Sequence, residues 1–345
     1  MQQVGPRSVR LTVFSSIVDI APALRKAAPK FDLEVIEDEA LGGYGGTVDF
    51  DAHKIQTATR ERLAQAEALV TEPSVLAQLL KANPDALPKL QWCQSTYAGV
   101  DPLFDAGLQL PLPFTLTRFA GKFGPPIAEW CIARIIGHER NFALTAADQT
   151  NQAWAGSRQV TTYRYLRDGT LTILGGAGDI GKCIGRAAQA FQMRVVAHGK
   201  TPRDNATGNG IDFYTTDLKQ ALQEADYIVS VLPSTPQTRG MLSGDVLAPA
   251  GGAVFLNVGR GDVIDEPSLE NALDKGYISA AILDVFTTEP LPKESPLWKR
   301  TDVIVSPHVS GVTRAVDVPD IVLGNYQRYA EGKPLQYQVD WSKGY

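Results

Sequence analysis

The sequence predicts an α/β protein built on parallel sheets, and three observations predict it. Short apolar, β-branched runs alternate with helical stretches along most of the chain, the pattern left by strand–helix crossovers. The stretch from Leu171 to Arg203 reads strand, glycine-rich turn, amphipathic helix, strand. At 345 residues with 44% hydrophobic residues, the chain is long enough for roughly two domains, each with its own core.

Taken in order, Val9 to Phe14 is a β-branched run, followed by a helical stretch over Ile20 to Ala28 and a second strand at Leu33 to Ile36. Residues 42 to 50, GGYGGTVDF, read as a surface loop, with Tyr44 a candidate substrate contact. Ala68 to Thr71 forms a strand, Ser74 caps a helix to about Ala82, and Leu90 to Gln94 forms another strand. From Pro125, where a Pro-Pro pair suits a first turn, a long helix runs through Ile127, Trp130, Cys131, Ile135 and Phe142 to about Asp148. Its apolar residues cover more than one face, which fits packing against a neighbour as well as its own domain and equally fits a helix buried within its own domain.

Beyond the glycine-rich unit, Asp217 caps a helix reaching Ala225, and Tyr227 to Val231 and Val254 to Asn257 are strands. Pro267 to Asp274 lies in a helix, Ile278 to Leu283 and Val303 to Val305 are strands, and a last helix spans about Thr313 to Tyr329 before a polar tail.

Bulk properties exclude several function classes. A net charge of −5 and a pI near 5.5 argue against a nucleic-acid scaffold. No window approaches the roughly 18 consecutive apolar residues of a membrane span, and the first residues carry no signal-peptide core. Cys93, Cys131 and Cys183 are widely spaced and odd in number, so they read as buried reduced thiols, and no cluster has metal-ligand spacing. A soluble, cytoplasmic protein without a metal is the expectation.

The chemistry begins at Gly176, Gly178 and Gly181, which fall in G-x-G-x-x-G spacing between a strand and a helix. The first glycine permits a tight turn, the second lets backbone approach a pyrophosphate, and the third lets helix and strand pack closely. The helix N-terminus adds N–H donors and a favourable dipole. Three further segments sit at or just past strand ends, where an open α/β sheet binds its ligand: NVGRGDVID (257–265), LDVFTTEPLP (283–292) and SPHVSGVT (306–313). Each carries one chemically able side chain: Arg260, Glu289 and His308. Arginine's planar fork suits a carboxylate, and histidine, with an ordinary pKa of ~6.5, can give or take a proton at a developing alkoxide. A carboxylate on its other ring nitrogen would orient the imidazole and stabilise its charged form. The small residues of STYAGVD (95–101) leave backbone amides able to face a carboxylate.

These segments resemble the D-isomer-specific 2-hydroxyacid dehydrogenases over roughly residues 90 to 345. The likeness rests on AGVD (98–101), IAE (127–129), GAGDIG (176–181), VSVLPSTPQTRGML (229–242) and the three strand-end loops. The resemblance implies a Rossmann-type dinucleotide-binding domain, about 118–314, inserted into a flavodoxin-like substrate domain of 1–117 and 315–345. It implies an active site between hinged domains and a homodimer arm in the helix of about 125–148. By resemblance Arg260 binds the substrate carboxylate and carbonyl, His308 is the acid/base, Glu289 pairs with it, and the amides of Ala98 and Gly99 help hold the carboxylate. The cofactor falls to Gly176, Gly178, Asp179, Ile180 and Gly181; to Leu232, Pro233 and Thr238; and to Val258, Gly259, Asp284, His308 and Gly311. Asp284 is expected at the nicotinamide carboxamide.

One departure from the family pattern concerns the cofactor. NAD-preferring members end the second strand on an acidic residue that binds the adenosine ribose. Here that position is Gly199, followed by Lys200, Thr201, Pro202 and Arg203. A missing carboxylate plus two cations suits a 2′-phosphate, so NADP(H) is expected over NAD(H), with Lys200, Thr201 and Arg203 as contacts. His198 reads as packing near the adenosine, and His53 and His138 as structural.

The expected activity is reduction of a small 2-oxo acid to its D-2-hydroxy acid. The VDWSKGY ending and the short tail look most like the glyoxylate/hydroxypyruvate-reductase branch. The alternative within the same fold is a dinucleotide-sensing corepressor that binds without turnover.

Overall fold

The computed structural model of the chain describes residues 9–42, 50–154, 158–203 and 207–344. Tyr44, with most of its glycine-rich loop, lies outside the described residues. The chain divides into two compact units, with breaks at 122/123 and 311/312.

The first unit runs β1 (Leu11–Val13), α1 (Ile20–Ala27), β2 (Leu33–Val35), α2 (Thr57–Leu63), β3 (Ala68–Thr71), α3 (Pro73–Ala82), β4 (Trp92–Ser95), α4 (Asp101–Asp105) and β5 (Thr115–Thr117). Among the described residues these strands form a five-stranded parallel sheet in the order β2-β1-β3-β4-β5, the flavodoxin-like order. The central strands β1, β3 and β4 are buried along their whole length, as expected where helices cover both faces. Phe14, Leu69, Leu76, Leu103 and Leu116 belong to the core on one side of this sheet.

The second unit runs α5 (Gly124–Glu139), α6 (Phe142–Thr150), α7 (Arg158–Thr161), β6 (Thr170–Leu174), α8 (Asp179–Ala190), β7 (Arg194–His198), β8 (Phe213–Thr215), α9 (Leu218–Gln223), β9 (Tyr227–Ser230), β10 (Ala253–Asn257), α10 (Glu266–Asp274), β11 (Ile278–Leu283) and β12 (Val303–Val305). Its parallel sheet has the order β12-β11-β10-β9-β6-β7-β8. This is the Rossmann order with one further strand, and it reverses direction between β6 and β9. Leu174, Ile228, Phe255, Leu273 and Leu283 fill one side of it. Asp217 and Asp265 cap α9 and α10, accepting hydrogen bonds from the N–H groups of Gln220 and Ser268. Finally α11 (Val318–Ala330) returns the chain to the first unit, where the Tyr326 hydroxyl donates to the Val9 carbonyl at 2.8 Å.

The structure corrects several expectations. The long helix from Pro125 is two helices, because Asn141 takes a left-handed conformation (φ 50°) that breaks the ladder between α5 and α6. The cap of α3 is Glu72, with Pro73 in the first turn and Ser74 already inside the helix. The last helix begins at Val318, since Val312–Asp317 is taken up by an irregular segment and a short 3₁₀ turn. Cys93 and Cys131 are buried, and burial raises both thiol pKa values, but Cys183 is only half-buried and accepts a contact from Arg186 at 2.9 Å. The polar tail is anchored: Val339 N–H donates to the Leu116 carbonyl at 2.9 Å, and Trp341 packs on Phe104.

Candidate active site

The second unit builds its crevice from the carboxyl ends of its strands. After β6 the chain turns on Gly175, whose φ is +88°, so the tight turn falls one residue before the glycine expected to make it. Gly176 is required for a different reason: a Cβ there would stand 2.6 Å from the Ala197 Cβ on β7. At Gly181 a Cβ would meet the Gly176 backbone at 2.5 Å, so helix α8 can pack onto the turn only with hydrogen at that position. Gly178 is the N-cap of α8 and exposed, and a Cβ on it would touch nothing closer than the Gly175 carbonyl at 3.4 Å. Among the described residues no side-chain bond caps α8 at Gly178, and the N–H groups of its first turn come from Asp179, Ile180 and Gly181. This open cradle fits the pyrophosphate of a dinucleotide.

The loops beside it pack closely. A Cβ on Gly175 would meet Val231 and Leu232 at 3.1 and 3.4 Å, and one on Gly259 would meet the Leu232 backbone at 2.6 Å. The turns after β6, β9 and β10 thus form one continuous wall at the switch point, with Leu232 and Val258 buried in it. Thr238 is used inside its own loop, donating to the Pro233 carbonyl at 2.6 Å. Ser234 bonds to Asp262, and Arg239 donates to Ser234 at 2.9 Å, which ties this loop to the Arg260 loop. Neither Ser234 nor Asp262 was an expected site residue; their types are common in turns and nothing in their spacing links them.

β10, β11 and β12 end in register, with Asn257 beside Leu283 and Leu283 beside Val305. Three loops therefore leave the sheet side by side, strands being about 4.8 Å apart. Asn257 donates to the Arg260 carbonyl at 2.9 Å, and the Arg260 guanidinium donates to the Gly259 carbonyl at 2.8 Å. Gly261 lets this loop lie against the next one, since a Cβ there would fall 1.9 Å from the Phe286 carbonyl carbon. Phe286 N–H in turn donates to Glu289 Oε1 at 2.9 Å, and Glu289 Oε2 lies 2.8 Å from His308 Nδ1. The ring of His308 is half exposed, and its backbone is held in the left-handed region (φ 53°).

Asp284 sets that conformation. It is fully buried, and the Ser306 hydroxyl and Val309 N–H donate to Oδ1 while Ser310 N–H donates to Oδ2. Its carbonyl accepts from His308 N–H at 2.8 Å. Both carboxylate oxygens are thus spent on the loop that carries His308. Gly311 faces helix α5, where a Cβ would meet Ile127 at 2.8 Å.

Lys200, Thr201 and Arg203 are exposed on the turn that follows Gly199 at the end of β7. His198 is buried, and desolvation lowers its pKa, so it packs as a neutral ring; burial lowers that of His138 in α5 as well. In the first unit, Ala98 and Gly99 lie in the turn after β4.

The profile of the D-isomer specific 2-hydroxyacid dehydrogenase NAD binding domain matches residues 132–310. The chain belongs to the D-isomer specific 2-hydroxyacid dehydrogenase family. This dehydrogenase is an oxidoreductase of CH–OH donors carrying a nicotinamide-dinucleotide domain. It is 30% identical over 227 residues to the glyoxylate/hydroxypyruvate reductase A of Salmonella heidelberg (strain SL476), covering 64% of this chain and 70% of that one. A family member from Aeromonas salmonicida superposes with a TM-score of 0.81 at 32% identity, over 97% of this chain and all of that one. The NADPH-dependent glyoxylate/hydroxypyruvate reductase of Sinorhizobium meliloti, solved with NADP and sulfate, superposes with a TM-score of 0.77 at 26% identity, over 98% of this chain and all of that one. Among the described residues no helix is long and apolar enough to cross a membrane.

Proposed function

We propose that this dehydrogenase reduces a 2-oxo acid, glyoxylate, hydroxypyruvate or a larger one, to the D-2-hydroxy acid and prefers NADPH to NADH. The observation that carries the reading is the His308–Glu289 pair, held at 2.8 Å on a strand-end loop in the same unit as an open glycine cradle. When bound, the reduced dinucleotide supplies the hydride that the 2-oxo carbon accepts. Arg260 pairs its guanidinium with the substrate carboxylate and polarises the carbonyl oxygen. His308 gives the proton on its Nε2 to that oxygen as charge builds there, and Glu289 holds the Nδ1 proton so that the ring keeps one tautomer and one orientation. Asp284 acts by ordering the His308 loop. The relatives from Salmonella and Sinorhizobium support the substrate class by name. Gly199 in place of an acid, with Lys200, Thr201 and Arg203 beside it, supports a 2′-phosphate, as does the NADP in the Sinorhizobium structure.

The test is NADPH and NADH oxidation, followed by absorbance, against glyoxylate, hydroxypyruvate, pyruvate, phenylpyruvate and branched 2-oxo acids, with chiral analysis of the product. At least one acid is expected to turn over with a higher kcat/KM for NADPH, and His308→Ala is expected to lose at least about a hundredfold in kcat. Binding of NADPH without reduction of any acid at any pH would leave a dinucleotide-sensing protein instead. We also read α5 and α6 as a homodimer arm, because α6 buries none of its residues and Phe142 and Trp154 stand exposed. Sedimentation as a monomer at micromolar concentration would sink that reading.

A further inference from the structure

The turn that begins at Gly199 packs against a residue fifteen positions further along the chain, Tyr214. β7 pairs with β8 in register, Ala197 beside Tyr214, so both side chains lie on one face of the sheet. That face is the one the glycine turn packs on, through Gly176 and Ala197. Gly199 stands two residues beyond Ala197, where a side chain would return to the same face. The space is taken: a Cβ on Gly199 would fall 2.5 Å from the Tyr214 hydroxyl and 3.3 Å from its ring carbon Cζ. The hydroxyl is not free to swing away at no cost, because it donates to the Thr201 carbonyl at 2.7 Å. Gly199 N–H is fixed as well, donating to the Thr215 carbonyl at 3.2 Å.

We infer that Tyr214 is the positioning residue for dinucleotide choice: its hydroxyl fills the side-chain position of residue 199 and ties the turn through Thr201. It does two things at once. It bars a carboxylate from the place where one would bind ribose hydroxyls and repel a 2′-phosphate. It also holds the backbone from Gly199 to Arg203 in the shape that presents Lys200, Thr201 and Arg203. A side chain at 199 has to displace the Tyr214 hydroxyl, which the Thr201 carbonyl holds, so exchanging Gly199 alone is expected not to convert the site. This inference rests on the 2′-phosphate reading above.

The experiment is direct binding to the purified full chain by calorimetry, with NADPH, NADH and adenosine 2′,5′-bisphosphate as probes, together with thermal melting. Tyr214→Phe is expected to weaken NADPH and the bisphosphate about fivefold, the scale of one hydrogen bond, and NADH less than twofold. Gly199→Asp alone is expected to lower Tm without tightening NADH. Gly199→Asp combined with Tyr214→Ala is expected to melt above Gly199→Asp and to bind NADH more tightly than the wild type. Equal weakening of both dinucleotides by Tyr214→Phe, or none, with a wild-type preference for NADPH, overturns the role of Tyr214 alone. So does a Gly199→Asp variant that melts like the wild type and binds NADH more tightly. A wild type that prefers NADH overturns the cofactor reading and this inference with it.

Discussion

The first strand–turn–helix of each unit starts a parallel α/β sheet, yet the two turns are finished in opposite ways. After β1, the turn from Phe14 to Asp19 closes around a carboxyl group of the protein itself. Glu72, fully buried at the end of β3, accepts at Oε1 from the Ser15 hydroxyl at 2.6 Å, the Ser16 N–H at 3.1 Å and the Ser16 hydroxyl at 3.3 Å. After β6, the turn from Gly175 to Gly178 has no side-chain oxygen of its own and gives α8 no side-chain cap, while Asp179, the acid of the first turn of α8, sets its Oδ2 beside Gly124. The contrast teaches that this unit of structure becomes an anion site only where the fold withholds its own oxygens. In one unit the loop donors of Ser15 and Ser16 are consumed internally; in the other the turn of glycine and alanine brings no acceptor of its own.

The strongest way to break the contrast is to build a carboxylate into the second turn. Gly178→Asp suits the backbone (φ −78°, ψ 175°) and the N-cap preference, so Tm is expected to hold or rise. Dinucleotide affinity is expected to fall at least about a hundredfold, because the new charge opposes a pyrophosphate; unchanged affinity by titration calorimetry would refute the cradle. Gly181→Ala tests packing in place of charge. Its Cβ would meet the Gly176 backbone at 2.5 Å, and we expect a loss of about 1–3 kcal/mol in urea unfolding, with weakened cofactor binding. A variant as stable as the wild type would show that the turn can yield.

The smallest effect is expected in the first unit, from Glu72→Gln. Desolvation by burial raises the Glu72 pKa above its ordinary 4.5, against hydrogen bonds from Ser15 and Ser16 that lower it. A raised acid contributes its stability fully below pH 4.5 and loses it as pH climbs through the folded value. The wild type should therefore lose ground to Glu72→Gln as pH rises from 4.5 to neutrality, by a few degrees in Tm. A pH-independent difference would mean that this carboxyl titrates alike in the folded and unfolded chain.

The two units also differ in how much of them could be read from the chain. In the second, Ile278–Leu283 falls where the apolar run places it, because a central parallel strand covered on both faces is a nearly continuous hydrophobic run, and the partly buried edge strand Val303–Val305 is legible from its three β-branched residues. The short edge strand Phe213–Thr215 has no such run: its three residues, Phe-Tyr-Thr, are set among polar neighbours. In the first unit α2 leaves little apolar periodicity, with only Thr59 and Leu63 buried, and β5 is three residues with a single apolar one. The break at Asn141 was hidden because the apolar spacing continues across it, and a left-handed residue leaves no periodic mark. The cap of α3 was misplaced at Ser74 by residue type, while Glu72 holds that position with its carboxyl turned to Ser15 and Ser16.

By itself the sequence determined the α/β class, the glycine turn, and the three loops carrying Arg260, Glu289 and His308, since each depends on residue types at fixed short spacing. The absence of an acid at Gly199 belongs with them. Only the tertiary structure decided that Gly175 makes the turn, that Gly261 lets the Arg260 loop touch Phe286, and that Asp284 is spent on the His308 loop. It alone set Tyr214 over Gly199 and Glu72 under the first turn. The reason is physical: these are contacts between separate strand ends, and which ends meet is set by sheet order and register, which no local spacing encodes.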